Sequence, residues 1–400
     1  MSDTATLPRP TVKLRPGKAR RLASGHPWVY TDEIAMDRRT KALAPGTLVR
    51  LVEGERSLGL AAFNPASVIA ARLLDPNPEA QVDSAWFGTR LTRAQALRTR
   101  LYDTPYYRLV HAEGDALPGV VIDRFGDTLV LQPNAAWADV RLEALIEAAL
   151  ASTGCTAVVV NATGRTRHLE GLDTHLSVVR GSVEAPIAVT MNGARYLADL
   201  LGGQKTGLFY DQRPNHAFAA GLAEGARVLD VFAHVGGFSL AALAAGATSA
   251  LAVDSSAPAL ALAREGAALN GVDDRLSTRR GDAFETMAAL SEANERFDLV
   301  VCDPPAFAPN KTALERGLRA YEKTARLGAR LTAPGGYLVV CSCSHAASPE
   351  AFHRASVAGI ARAGRTGQLL HSGRAGPDHP QHPALPETGY LKALFFRLDG

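Results

Sequence analysis

Short apolar runs alternate with longer helical segments throughout the second half of the chain. The apolar runs are ARVLDVF (226–232), SALAVD (249–254), FDLVVCD (297–303) and GGYLVVCSC (335–343). Helical spacing marks GGFSLAALAAG (236–246), APALALAREGAALNG (257–271) and a long polar segment from about 312 to 332. Strands that alternate with helices predict an α/β domain with a parallel, doubly wound sheet.

The first half of the chain has a different pattern. From residue 11 to about 75, the runs GTLVRLVEG, SLGLAAFN and VIAARLLD are rich in β-formers and are broken by Gly, Pro and Asn, which predicts a small β-barrel. The segment SAWFGTRLTRAQALRTRLY then predicts an amphipathic helix with arginines on its polar side, and LPGVVIDRFGDTLVLQP predicts a hairpin that turns at Gly126-Asp127. A helix (DVRLEALIEAALAS) and a strand (TAVVVNA) follow. We therefore predict three domains: 1–75 (β-barrel), 76–190 (α+β) and 191–400 (doubly wound).

Composition adds constraints on location and partners. The chain is 46% hydrophobic and 21% charged with a net charge of +3, values typical of a soluble globular protein. Its four cysteines and its N-terminus, which lacks an apolar core, suggest a reducing cytoplasm and no signal peptide. No metal site is expected, because the C-x-C pair at 341 and 343 is not accompanied by a C-x-x-C motif or by a histidine pair with the spacing of a zinc finger. No charged residue lies between Val231 and Val253, but Gly, Ala and His234 in this stretch favour strand, turn and helix over a membrane span.

The positive charge is concentrated near the N-terminus. The run KLRPGKARR has no acidic residue before Asp32, and its basic residues are Lys13, Arg15, Lys18, Arg20 and Arg21. Such a run is either a solvated surface or a contact for an anionic polymer such as RNA.

Four residues at or near strand ends mark the candidate site, because ligands of doubly wound sheets bind beyond the carboxyl ends of the strands. They are Asp230, Asp254, Asp303 and Cys343. Gly236 and Gly237 permit close approach of a ligand, and the acid at 254 is placed to bind a ribose. Phe232 and His234 stand where a pyrophosphate loop has glycines, so a nucleoside ligand such as S-adenosylmethionine is favoured over NAD, which stays open.

Two further elements agree with a base-methylating enzyme. Asp282 follows a third strand, where it can meet the adenine amino group. Asp303-Pro304-Pro305 forms a rigid turn that holds a carboxylate towards a planar base, although a simple strand cap is the alternative.

Several long motifs resemble one family, the bacterial 23S ribosomal RNA cytosine-C5 methyltransferases with an N-terminal PUA domain. The motifs are GHPWVY (25–30), EGDALPGVVIDRFGD (113–127), KTGLFYDQR (205–213), DVFAHVGGFS (230–239), DPPAFAPNK (303–311), SCSH (342–345) and the tail DHP…ETGYLKALFFRL. The resemblance implies a PUA domain, a Rossmann-like methyltransferase sheet, S-adenosylmethionine as methyl donor, ribosomal RNA as substrate and a homodimer. It implies a cofactor pocket formed by Gln212, Arg213, Asp230, Phe232, Gly236, Gly237, Phe238, Asp254, Ser255, Asp282, Ala283 and Asp303.

The same resemblance predicts covalent catalysis by a cysteine. Cytosine C5 is a weak nucleophile, and a thiolate that adds at C6 converts the ring into an enamine able to accept a methyl group. Cys343 is the predicted nucleophile because it lies nearer the carboxyl end of its strand than Cys341, which we expect in the core. Asp303 is its predicted partner at N3 of the base. Lys311 is a candidate contact for the RNA, or an ordinary solvated lysine.

Two other functions remain open from the sequence. One is a methyltransferase acting on a guanine nitrogen, which would need no cysteine. The other is a non-catalytic RNA-binding or ribosome-assembly factor that retains the cofactor fold.

Overall fold

The computed structural model describes residues 9–184, 186–202 and 207–399. The chain divides into two compact units, the first comprising Met1–Val183 with Asp378–Thr388 and the second Glu184–Pro377 with Gly389–Gly400. The domain boundaries expected near 75 and 190 stay predictions. Among the described residues, no helix has the length and apolar character needed to cross a membrane.

The first unit begins with a β-rich subdomain. Its strands are β1 (Thr11–Lys13), β2 (Trp28–Val29), β3 (Thr47–Glu53), β4 (Arg56–Phe63) and β5 (Ala71–Asp75), and its short helices are α1 (Arg20–Ala23) and α2 (Arg38–Lys41). Within the described residues these five strands pair in the order β1-β3-β4-β5-β2. Val12, Val49 and Phe63 are fully buried in its core. The small β-barrel domain expected from the Gly- and Pro-broken runs is confirmed as a β-rich half-barrel sheet.

A second sheet completes the first unit. Helix α3 (Ser84–Leu101) leads to strands β6 (Tyr106–His111), β7 (Val120–Phe125) and β8 (Thr128–Pro133), helices α4 (Ala136–Val140) and α5 (Leu142–Thr153), and strands β9 (Ala157–Asn161) and β10 (Leu176–Arg180). The strand order is β10-β9-β8-β7-β6. The predicted hairpin is confirmed, since Phe125 pairs with Thr128 across the two-residue turn.

One detail of α3 differs from the prediction. Its arginines were expected on the polar face, but Arg98 is completely buried. Both of its terminal nitrogens donate to the carboxylate of Asp115, at 2.6 and 2.7 Å, and one also donates to the carbonyl oxygen of Asp378 at 2.8 Å. A carboxylate deep in the same unit provides the partner, and this pairing compensates the burial of the guanidinium.

The second unit is built on a larger sheet. It begins with the hairpin β11 (Ile187–Met191) and β12 (Ala194–Ala198), followed by α6 (Arg213–Ala220), β13 (Arg227–Val231), α7 (Gly237–Ala244), β14 (Ser249–Asp254), α8 (Ala257–Leu269), β15 (Leu276–Arg280), α9 (Ala283–Glu292), β16 (Phe297–Cys302), α10 (Leu314–Leu331), β17 (Thr332–Ser342), α11 (Pro349–Arg362), β18 (Gly367–Gly373) and β19 (Lys392–Leu398). Seven of the described strands pair in the order β15-β14-β13-β16-β17-β19-β18.

The predicted α/β sheet is confirmed, with one addition at its edge. Strands β13 to β17 are parallel, whereas β19 runs antiparallel to both of its neighbours. The chain order reverses beside β13, where β14 pairs on one side and β16 on the other. This is the switch point at which a ligand is expected beyond the carboxyl ends of the strands.

Candidate active site

The turn after β13 is organised around a buried carboxylate. Asp230 is completely buried, and its Oδ2 accepts hydrogen bonds from the backbone N–H of Ser239 at 2.9 Å and from its hydroxyl at 2.7 Å. Burial raises the pKa of Asp230 to about 6, although the bonds from Ser239 oppose this shift. Its Oδ1 has no hydrogen-bond partner among the described residues. A buried acceptor in this position fits a bound ligand that donates a hydrogen bond.

The backbone of this turn folds back towards the end of β14. Phe232, His234 and Gly236 all have positive φ angles, of 67°, 51° and 80°. The N–H of His234 donates to Oδ2 of Asp254 at 2.9 Å, and the N–H of Ser256 donates to Oδ1 at 2.8 Å. The carboxylate of Asp254 is therefore held by the backbone and stays half-buried, with lone pairs left for a ribose hydroxyl.

The second glycine of the turn is explained by packing. A Cβ atom on Gly237 would lie 2.7 Å from Cε1 of His216. The ring of Phe238 also packs edge-on against His216, with centroids 4.4 Å apart, and Phe238 is buried. Burial lowers the pKa of His216 to about 3, so this imidazole is neutral. Both Gly237 and Phe238, which were predicted to line the pocket, thus lie against the neighbouring helix.

The residues predicted near adenine and ribose lie at the ends of β14 and β15. Ser255 is exposed and follows Asp254 directly. Asp282 is also exposed, and its carboxylate accepts the N–H of Glu285 at 3.0 Å as the N-cap of α9. Ala283 is buried at the start of that helix. One oxygen of Asp282 thus has a structural use, and the other is at the surface where a ligand can reach it.

The two residues before and at the start of α6 that were predicted to form part of the cofactor pocket are both buried. Gln212 and Arg213 precede or begin α6 and are both buried, and Oε1 of Gln212 accepts a hydrogen bond from Asn215 at 2.6 Å. The guanidinium of Arg213 lies 5.7 Å from the ring centroid of Tyr210. Lys205 and Thr206, the first two residues of the motif KTGLFYDQR, lie outside the described residues.

The Asp-Pro-Pro turn continues β16 next to β13. The N–H of Asp303 donates to the carbonyl oxygen of Val231 at 3.2 Å, and its side chain is half-buried. Phe307 packs against Tyr321 and Phe284, with centroids 5.0 and 6.0 Å apart. Phe307 thus belongs to an aromatic cluster within the second unit.

The cysteines differ sharply in exposure. Cys155, Cys302 and Cys341 are buried, and Cys343 is partly exposed. Burial raises the pKa of the Cys302 and Cys341 thiols far above their ordinary value, which leaves them protonated and unreactive. Cys343 lies one residue beyond β17, and β17 pairs with β16, the strand that carries Asp303. All four cysteines belong to the described residues, so Cys343 is the accessible thiol of the chain.

A lysine that the sequence analysis did not select lies beside this cysteine. Lys392 is buried at the start of β19, and its Nζ donates to the carbonyl oxygens of Ser344 at 2.7 Å and Ala347 at 2.9 Å. On the other side, the hydroxyl of Ser344 bonds to the hydroxyl of Tyr321 at 2.7 Å and accepts the N–H of Ala308 at 2.9 Å. The signal in the sequence was a charged residue opening the apolar run ALFF.

The predicted RNA contacts are exposed where the structure describes them. The basic residues of the N-terminal run are all at the surface: Lys13, Arg15, Lys18, Arg20 and Arg21. Arg21 lies 4.8 Å above the ring of Tyr30 and forms a 3.5 Å ion pair with Glu33. In the second unit, Lys311 is exposed in a single turn capped by Asn310.

The geometry agrees with comparisons to known proteins. A model of S-adenosylmethionine-dependent methyltransferases matches residues 142–397, and a model of PUA-like domains matches residues 12–76. The chain belongs to the S-adenosylmethionine-dependent methyltransferase family. Among its relatives, the "Ribosomal RNA large subunit methyltransferase I" of Shewanella denitrificans is 36% identical over 97% of this chain and 99% of its own length. The "Ribosomal RNA large subunit methyltransferase" of Deinococcus radiodurans is 36% identical over 98% of both.

Solved structures agree with the fold. A putative methyltransferase called SMU.776, solved with S-adenosylhomocysteine (SAH), superposes with a TM-score of 0.82 over 98% of this chain and all of its own. A putative methyltransferase from Streptococcus mutans gives 0.81 over 97% of this chain and 100% of its own. At 20% and 18% sequence identity these two structures support the fold alone. Family membership makes S-adenosylmethionine the cofactor, and the free Oδ1 of Asp230 and the half-buried carboxylate of Asp254 fit it.

Proposed function

We propose that this methyltransferase modifies C5 of a cytosine in large-subunit (23S) ribosomal RNA, through a covalent bond between Cys343 and C6 of the base. The observation that carries the proposal is the accessible thiol of Cys343 at the carboxyl edge of the sheet. Cys343 directly follows β17, and Asp303 directly follows the neighbouring strand β16. The names of the relatives, which describe ribosomal RNA large subunit methyltransferases, support the substrate.

The proposed reaction uses these two side chains in sequence. The Cys343 thiolate forms a bond to C6, and the carboxyl group of Asp303 donates its proton to N3 as electrons move from C6 into the ring. S-adenosylmethionine, held by Asp230 and Asp254, would supply an electrophilic methyl group to the enamine carbon C5; its sulfonium–methyl bond would break as the C5–methyl bond forms, and S-adenosylhomocysteine would leave. A base then removes the C5 proton, the C6–S bond breaks, N3 returns its proton, and the thiolate is released.

The target base must leave its stack to react in this way. Attack at C6 comes from above the ring plane, so the nucleotide has to be unpaired or extruded. We assign phosphates of the RNA to exposed cations of each unit: Lys311 in the second unit, and in the N-terminal run of the first unit Lys13, Arg15, Lys18, Arg20 and Arg21. Trp28 and Tyr30, which follow that run, offer faces for an unpaired base.

The site assignments go with this proposal. Asp230, Gly236, Asp254, Ser255 and Asp282 are proposed to contact the cofactor directly. A second group, most of whose members are buried, is proposed to support the residues that contact the cofactor: Gln212, Arg213, Phe232, Gly237, Phe238 and Ala283. We also propose the cytoplasm as location, a homodimer as assembly, and domains at 1–75, 76–190 and 191–400.

The decisive experiment is methyl transfer to ribosomal RNA that lacks the modification. Native protein, Cys343→Ala and the matched control Cys341→Ala are compared, and the RNA is digested to nucleosides for mass spectrometry. We expect 5-methylcytidine from native protein and from Cys341→Ala. We expect none from Cys343→Ala, although this variant still binds S-adenosylmethionine in equilibrium dialysis.

Other outcomes identify the alternatives. Methylguanosine as product, with full activity of Cys343→Ala, would show a guanine-nitrogen methyltransferase, for which a lone pair suffices. Failure of native protein to bind S-adenosylmethionine would point to a non-catalytic RNA-binding factor. The buried and hydrogen-bonded Asp230 argues against that last reading, because an inert domain has no need for an ionisable group there.

A further inference from the structure

The buried lysine of β19 is placed by strand pairing next to the candidate nucleophile. Lys392 is the register partner of Ser342, and the following pair joins Cys341 to Ala393. Cys343 is the next residue after Ser342. The antiparallel edge strand thus brings the first residue of β19 to the point where β17 ends and the reactive segment begins.

The contacts of this lysine are unusual for a cation. Only 7% of Lys392 is exposed, and its Nζ donates to the carbonyl oxygens of Ser344 and Ala347, on the segment that follows Cys343. Within the described residues, no carboxylate forms an ion pair with it. A buried ammonium that is not paired with a carboxylate is costly, and a purely structural tie between two carbonyl groups does not require a charge.

We propose that Lys392 is a positioning residue for Cys343: its ammonium group stabilises the thiolate and holds the segment from 344 to 347 in place. This inference rests on the proposed function for its catalytic meaning. An ammonium has three N–H donors, and two of them bond to the carbonyl groups. The third is available to the neighbouring sulfur.

The electrostatics of the surroundings agree with this assignment. Burial lowers the pKa of Lys392 to about 8, and the interaction that opposes this shift is with Cys343. The lysine is therefore still mostly protonated at pH 7. Tyr321 of α10 and Cys341 of β17 also interact with Cys343, and burial raises the pKa of both. Both are neutral at pH 7, and so is the buried Cys302. Asp303, which interacts with Cys341, opposes a thiolate only in its ionised form and not in the protonated form that the proposed reaction uses.

The test measures the ionisation of Cys343 without using RNA. Iodoacetamide alkylates thiolates, so the rate of Cys343 modification is followed against pH by tandem mass spectrometry, with the buried Cys155, Cys302 and Cys341 as internal controls. The proteins compared are native, Lys392→Met, Lys392→Arg and Tyr321→Phe. The last variant breaks the bond to Ser344 but removes no charge.

We expect the alkylation rate of Cys343 in native protein to have its pH midpoint below the ordinary thiol pKa of about 8.5. In Lys392→Met the midpoint should lie about one pH unit higher than in native protein, which slows alkylation at pH 7 about tenfold. Lys392→Arg should restore most of the shift, and Tyr321→Phe should leave the titration unchanged. An unchanged midpoint in folded Lys392→Met overturns the proposal. If that variant does not fold, a native midpoint at or above about 8.5 overturns it.

The outcome is separable from the proposed reaction. A midpoint that depends on Lys392 in a protein that makes no 5-methylcytidine would confirm the electrostatic role and refute only the catalytic one. If 5-methylcytidine forms and the midpoint does not depend on Lys392, the reaction stands and the role of the lysine is packing.

Discussion

At the level of single residues, the buried carboxyl group of Asp230 links folding to pH. Its pKa rises from 3.8 to about 6 in the folded protein, so the folded state binds more protons than the unfolded state between these values. Stability from this group is therefore fully present below pH 3.8 and is lost as the pH rises to about 6. The pKa shift of Asp230 corresponds to a change of about 3 kcal/mol in the free energy of unfolding.

The substitution Asp230→Asn tests this pH dependence. The amide keeps an acceptor for Ser239 but cannot ionise, so the free energy of unfolding of the variant should rise by about 2.4 kcal/mol relative to that of native protein between pH 4 and pH 7. Urea unfolding at several pH values in this range measures the difference. A constant difference between Asp230→Asn and native protein would contradict the prediction.

A second residue-level prediction concerns the ion pair inside the first unit. Arg98→Ala leaves the carboxylate of Asp115 buried without its guanidinium partner, which should lower the free energy of unfolding by about 3–5 kcal/mol. Arg93→Ala, an exposed position on the same helix, should change it by less than about 0.5 kcal/mol. Denaturant unfolding followed by Trp fluorescence measures both. Equal effects of the two substitutions would refute the assigned role of the pair.

The surroundings of individual side chains could be predicted from the sequence only in part. The exposure of Cys343 and the burial of Cys341 were predicted from their places relative to the strand end, and the structure agrees. Arg98 and Lys392 were not recognised, because their partners lie far along the chain. Asp378 contributes its carbonyl oxygen to Arg98 across 280 positions, and Ser344 contributes its own to Lys392 across 48. Hydrophobic periodicity contains no information on such pairs.

At the level of elements, two helical glycines should respond oppositely to the same substitution. Gly88 in α3 has open space around its missing Cβ, so Gly88→Ala should stabilise the protein by about 0.5–1 kcal/mol through helix propensity. Gly359 in α11 packs on α10, where a Cβ would lie 2.8 Å from Cβ of Ala325. Gly359→Ala should therefore destabilise it by about 1–3 kcal/mol through overpacking.

Thermal and denaturant unfolding of the two variants measure this contrast. Each variant is the control for the other, because the chemical change is identical and only the surroundings differ. Stabilisation by both substitutions would mean that α10 and α11 can separate at little cost in free energy. That result would contradict the close packing of Gly359 against α10.

Element types were largely predictable, whereas the order of strands was not. The alternation of apolar runs and helical segments gave β13, β14, β16 and β17 with their helices. The position of β19 between β17 and β18 could not be read from the sequence, because an antiparallel strand with buried residues on both faces has the same apolar pattern as a parallel one. This position is also what brings Lys392 to Cys343.

At the level of the whole molecule, the net charge of +3 gives little indication of a polyanionic substrate. The distribution of the charge is more informative. The N-terminal run presents its cations at the surface of the first unit, and the proposed catalytic residues Asp303 and Cys343 belong to the second unit. An affinity that arises from phosphate neutralisation releases counterions and depends steeply on salt. The chemical step proposed for Cys343 is expected to have no such dependence. The two contributions can therefore be separated by varying salt and charge together.

The double substitution Lys18→Gln with Arg20→Gln makes this separation. If both side chains contact phosphates, the slope of log affinity for ribosomal RNA against log salt should become shallower by about 1.4, that is about 0.7 per contact with single-stranded RNA. The maximal rate at saturating RNA should stay unchanged, because neither side chain acts on the reacting base. Arg354→Gln with Arg362→Gln removes the same charge from the exposed surface of α11 and should leave the slope at its native value. Equal slopes for the two double variants would mean that the N-terminal run is an ordinary solvated surface and that RNA is bound elsewhere.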